Sequence, residues 1–158
     1  MPADPVLDPA AALRERGLRV TKQRLAVMGA LAATPHSGAE AVTTAVRLEV
    51  GRVSSQAVYD VLHALTAHGL VRRIQPAGST ARYELRVGDS HHHLVCRGCG
   101  RVVDVDCATP TAPCLDPTAV HTVAPGFVVD EAEVTFWGLC ETCTTRSGRT
   151  PSLQEETA

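Results

Sequence analysis

In the first half of the chain, apolar positions recur at helical spacing in four segments, each closed by a stop signal. "DPAAALRERG" places Asp8 at an N-cap, Pro9 at the first helical position and Gly17 where a left-handed cap would sit, which predicts a short helix. Thr21 heads "KQRLAVMGALAAT", where Leu25, Val27, Met28, Leu31 and Ala32 build an apolar face that Pro35 brings to an end. In "SGAEAVTTAVRLEVG", Ser37 stands at capping-box distance from Glu40, and Gly51 stops the third helix. The fourth runs over residues 54–68, with Val58, Val61, Leu62 and Leu65 in one stripe, Gly69 as its stop and Ser55, Gln56 and Tyr59 polar-tipped near its start. The pattern then turns to strand: "LVRRIQPAGSTARYEL" reads as two strands joined through Pro76, Ala77 and Gly78, carrying Arg72, Arg73 and Arg82.

Helices followed by a basic hairpin predict a winged helix-turn-helix, with residues 54–68 as the helix that enters the major groove. A generic helical domain with merely solvated arginines is the alternative that the pattern leaves open. In the second half, "SHHHLVC" and "RVVDV" read as a strand and its return strand. The expected class is α+β: an N-terminal winged helix-turn-helix domain followed by a second part that carries these strands.

Composition sharpens this division. Of 158 residues, 44% are hydrophobic, enough for a folded core. The net charge of −2 conceals an asymmetry: residues 1–85 carry ten basic and seven acidic side chains (+3), residues 86–158 five and ten (−5). A basic half joined to an acidic one suits a nucleic-acid module attached to something else. No stretch approaches the ~20 apolar residues of a membrane span, and "MPADPVLDPAA" lacks the basic and apolar regions of a secretory signal. The expectation is a cytoplasmic protein, where six cysteines argue for metal binding or redox chemistry rather than permanent disulfides.

"CRGC" at Cys96 and Cys99 and "CETC" at Cys140 and Cys143 are two CxxC knuckles. Two loops presenting two thiolates each can close a tetrahedron around Zn(II) with no open coordination position, which describes a structural site. Cys107 and Cys114 are left over. Small buried residues is the preferred reading for both, with a reversible redox pair as the alternative. Because a strand sends alternate side chains to opposite faces, His91 and His93 should point one way and His92, Leu94 and Cys96 the other. Two imidazoles on one face are half of a metal site. Asp104 on the return strand and Glu84 at the end of the hairpin are the candidate carboxylates, and a mixed N/O set suits Fe(II), Mn(II) or Zn(II). A polar surface strand is the bland alternative.

The segments "GLRVTKQR", "VSSQAVYDVLHALTAHGLV", "ARYEL", "HHHLVCRGCGRVVDVDC" and "WGLCETC", in this order, resemble the ferric uptake regulator (Fur) family over residues 13–145. Within the family the likeness is to the FurA/CatR-type peroxide-responsive repressors. The resemblance implies a winged-helix DNA-binding domain over 1–85, a hinge over 86–92, a small C-terminal α/β dimerisation and metal-binding domain over 93–145, a disordered tail over 146–158, and a homodimer on a palindromic operator. It also implies structural zinc on Cys96, Cys99, Cys140 and Cys143, and a regulatory Fe(II) or Mn(II) on His36, Glu84, His91, His93 and Asp104. Arg19 and Tyr59 fall on DNA-contacting positions, beside Ser55 and Gln56; a solvated arginine and a core-facing tyrosine are their alternatives. Ala132 stands where many members have a histidine and Ser90 where a histidine or aspartate is common, so no third metal site is expected, although Glu131 or Glu133 offers a carboxylate.

The implied function is a metal-dependent repressor that senses hydrogen peroxide and controls catalase-type genes. Asp104 points to the peroxide-responsive branch, since iron-sensing relatives often carry Glu there; iron- or zinc-responsive repression is the rival. An enzyme is not expected. A CxxC reductase would place its motif at a strand-to-helix turn, and the HxE and PCxxC elements of a zinc deaminase are absent.

Overall fold

The structure is a computed structural model that describes residues 8–89, 91–107, 120–129 and 132–148. The chain divides into two compact units, Met1–Gly88 and Asp89–Ala158. Four helices lead the first unit: α1 (Pro9–Glu15), α2 (Lys22–Ala33), α3 (Ala39–Val50) and α4 (Ser55–Ala67). Asp8, Thr21 and Ser54 cap α1, α2 and α4 through side-chain oxygens that accept from the amides of Ala10, Arg24 and Ala57. Gly51 and Gly69, with φ of +82° and +64°, turn the chain after α3 and α4. Leu13, Val27, Met28, Leu31, Val42, Val46, Val58, Leu62 and Leu65 form the buried core beneath these helices.

One expectation fails at the start of α3. Ser37 is not its cap: the two-residue strand β1 (Ser37–Gly38) takes it up, its hydroxyl donates to the Thr34 carbonyl at 2.7 Å, and Gly38 occupies the N-cap without a side-chain bond. Pairing outweighs local capping here, because Ser37 lies opposite Tyr83 of β3 (Arg82–Glu84), which also pairs antiparallel with β2 (Arg72–Ile74). The sheet order is β1-β3-β2, so the hairpin becomes a three-stranded wing packed on the helices through Tyr83.

The second unit holds β4 (His91–Cys96), β5 (Val102–Asp106), a short α5 (Val120–Val123), β6 (Thr135–Gly138) and α6 (Glu141–Ser147). Its sheet runs β5-β4-β6, antiparallel between β4 and β5 and parallel between β4 and β6. β4 starts inside the segment expected to be hinge. α6 runs two residues into the expected tail and is capped by Gly148, and residues 149–158 lie outside the described residues. This is an α+β architecture, and β4 is the central strand of the second unit's sheet. No described helix is long and apolar enough to cross a membrane.

Candidate metal centres

β4 ends on Cys96, and the turn to β5 carries Cys99. The chain closes on itself there, with the Gly100 amide donating to the Cys96 carbonyl at 2.9 Å while Gly100 adopts a φ of +71°. β6 runs beside β4 with Gly138 opposite Cys96, which brings Cys140 to the N-cap of α6 and Cys143 onto its first turn. The four sulfurs lie within 4.8 Å of one another. Cys99 Sγ and Cys140 Sγ are 3.7 Å apart, against an edge of about 3.8 Å for a tetrahedron of thiolates ~2.3 Å from zinc. The residues therefore fit Zn(II) in number, donor type and spacing.

The electrostatics of the four thiols point the same way. The Cys140 backbone N–H, donated to Cys96 Sγ at 3.2 Å, holds that thiol down to about 6 against the effect of burial. Cys143 is pushed up to about 12, first through its hydrogen bond with Cys140 and then by burial. Thiols crowded this closely cannot all ionise unaided; a divalent cation removes the conflict. Sequence reasoning passed over Gly98. A Cβ built there would sit 2.8 Å from Cys143 Sγ and 3.0 Å from its Cβ, so the second knuckle occupies the space that a side chain would need.

The histidines lie on the other side of the same strand. His91 and His93 are buried, with ring centroids 4.9 Å apart at 75°, and Asp104 stands directly across from His93 on β5. Asp104 Oδ1 is 3.5 Å from His93 Nε2 and 3.9 Å from His91 Nε2, so two imidazole nitrogens and a carboxylate oxygen converge. A second carboxylate, Asp89, reaches His91 Nδ1 at 2.9 Å. Only its position two residues ahead of His91 could have signalled it.

In the first unit, His36 Nε2 meets Glu84 Oε2 at 2.8 Å, with the carboxylate almost fully buried. His36 is the one non-glycine among the described residues with a positive φ, +60°. The left-handed backbone turns its ring towards β3 as the chain leaves α2 for β1, and such a conformation needs support from its surroundings. Arg82 provides some: its guanidinium donates to the His36 carbonyl at 3.1 Å, a different job from the exposed hairpin charge read in the sequence.

The structure thus gathers His36 with Glu84 in one unit, and His91, His93 and Asp104 in the other. Arg19, Ser55, Gln56 and Tyr59 are exposed on the first unit, Tyr59 at 46%, which excludes a core-facing tyrosine. Gln56, Tyr59 and His63 of α4 and Arg73 of β2 line a groove of about 300 Å³. Cys107 is half-buried just past β5, not enclosed as expected, because the strand has ended and no described element covers it fully. Cys114 lies outside the described residues, as do Ser90 and Glu131.

The model of the ferric uptake regulator family matches residues 15–111, more than half of the chain. The chain belongs to the ferric uptake regulator family. It is 58% identical over 136 residues to the transcriptional regulator FurA of Mycobacterium tuberculosis, a match covering 86% of this chain and 90% of that one. The peroxide operon regulator of Bacillus subtilis is 28% identical over 132 residues, or 83% and 88% of the two chains. Among solved structures, the Vibrio cholerae ferric uptake regulator superposes with a TM-score of 0.61 at 25% identity, covering 84% of this chain and all of that one. As a Fur family member the chain is a metal-responsive transcriptional regulator and a dimeric DNA-binding protein, not an enzyme.

Proposed function

We propose that the chain is a repressor that binds a palindromic operator as a homodimer in the cytoplasm, and that hydrogen peroxide releases it from catalase-type genes. Structural Zn(II) would occupy Cys96, Cys99, Cys140 and Cys143. A regulatory Fe(II) or Mn(II) would take His36, Glu84, His91, His93 and Asp104. The observation that carries this reading is the donor chemistry where β4 meets β5: two buried imidazoles of β4 and the Asp104 carboxylate across from them, without a thiolate, while the cysteine of β4 belongs to a complete set of its own. Such N/O donors suit Fe(II) or Mn(II) over a thiolate-seeking metal. His36 and Glu84 are donors of the same kind. A metal taking both sets would tie the winged helix to the dimerisation domain, so that occupancy biases one arrangement of the DNA-binding heads. α4 would read the major groove through Ser55, Gln56 and Tyr59, with Arg19 on phosphate.

Fe(II), when bound, supplies the electron transfer that splits peroxide beside the imidazoles. In the net change a ring C–H of one histidine gains an oxygen atom, the other peroxide oxygen leaves as water, and the ring loses the two electrons that peroxide gains. Mass spectrometry after one equivalent of peroxide tests this. The Fe(II) form should gain one oxygen on a peptide containing His36, His91 or His93, and the Mn(II) form should not. Loss of two hydrogens confined to Cys107 and Cys114, whatever the metal, would contradict the histidine mechanism. Iron-responsive repression is the second reading, favoured by the likeness to the Vibrio cholerae ferric uptake regulator. It expects an Fe(II) form that releases DNA on chelation but ignores peroxide.

A further inference from the structure

The imidazole of His91 has no exposed surface, and both of its nitrogens face carboxylates. Nδ1 is 2.9 Å from Asp89 Oδ1, a hydrogen-bond distance. Nε2 points to Asp104 Oδ1 at 3.9 Å, which is too long for a hydrogen bond, and it shares that oxygen with His93 Nε2 at 3.5 Å. A neutral imidazole has one N–H to donate and one lone pair to offer, and the bond made by one nitrogen decides what the other can do.

We propose that Asp89 is a positioning residue for the regulatory metal: it accepts the Nδ1 proton of His91 and so presents the Nε2 lone pair to a divalent cation held with His93 and Asp104. Asp89 precedes β4 and keeps a partly exposed carboxylate, while His91 is held by the strand and by the edge-on ring of His93. The fixed ring cannot turn its other nitrogen inward without losing both the Asp89 bond and this packing. An outer carboxylate of this kind also strengthens the imidazole as a donor, and removing one typically weakens metal binding by about 10- to 100-fold. The inference rests on the regulatory-metal reading above.

Two measurements on the zinc-loaded dimer separate it from that reading. Nitrogen-15 NMR of the protein without regulatory metal should show His91 as the Nδ1–H tautomer. Asp89→Ala should move it towards Nε2–H, and Asp89→Asn, whose amide oxygen still accepts, should restore much of the wild-type signal. In calorimetric titration with Mn(II), Asp89→Ala should raise the Kd by about 10- to 100-fold, with Asp89→Asn in between and zinc content unchanged. An Nε2–H tautomer in the wild type, or the same tautomer in wild type and Asp89→Ala, overturns the proposal even if Mn(II) affinity falls, because Asp89 would then act by charge alone. An Mn(II) affinity in Asp89→Ala within about twofold of wild type overturns it too. If His93→Ala binds Mn(II) as the wild type does, the metal reading is what has failed, and the tautomer measurement still decides the role of Asp89.

Discussion

Cys96 and the pair His91 and His93 stand on one strand, within six residues, yet belong to opposite kinds of site. The thiolates come from two knuckles of a single unit, four donors with a sulfur spacing that already matches a closed tetrahedron. The histidine face brings three donors together and is helped by an outer carboxylate. A closed shell holds structure and leaves nothing for a signal to change, whereas an incomplete one can gain a metal and lose it. Strand alternation keeps the two apart, because residues of opposite parity on β4 face opposite ways.

Breaking the closed site should have the largest effect. Cys96→Ser removes one thiolate from a cluster whose metal contributes its binding energy directly to folding, about 10–16 kcal/mol for zinc-finger-type sites at neutral pH. Metal analysis and gel filtration should find little zinc and little dimer; a folded dimer with full zinc would refute the four-cysteine assignment. Next comes the open site. His93→Ala should abolish metal-activated operator binding in a gel shift, a loss greater than the roughly 10- to 100-fold expected for an outer partner, while zinc content and the dimer stay as in wild type. Equal damage to both sites would show that the two do not act separately. A smaller effect sharpens the closed side: Gly98→Ala puts a Cβ 2.8 Å from Cys143 Sγ. Overpacking of this sort costs about 1–3 kcal/mol. Zinc should pass to a competing chelator faster than from wild type, with Mn(II) affinity unaltered.

The parts legible in the sequence were those written in periodicity and repetition. Helical stripes with caps gave α1, α2 and α4, alternation gave the two faces of β4, and paired CxxC motifs gave the thiolate cluster. What escaped depends on contacts between distant residues. Ser37 has the spacing of a cap, yet pairing with Tyr83 claims its backbone. His36 carries no local signal, since its left-handed backbone and its contact with Glu84 follow from how β1 meets β3; only family resemblance raised it. Gly98 looks like ordinary turn punctuation until Cys143, far along the chain, comes to rest against it. Arg82 reads as one more basic residue of the hairpin, but its guanidinium holds the backbone of His36.

The difference between the sites can be measured in one experiment. Mild chelation with EDTA, followed by metal analysis, operator titration and re-addition of Mn(II), addresses both on the same sample. Chelated protein should keep about one zinc per subunit and its dimer, consistent with the tight binding of structural zinc, but lose high-affinity operator binding, which Mn(II) then restores. Full operator affinity in the chelated protein, or loss of zinc together with operator binding, would contradict this.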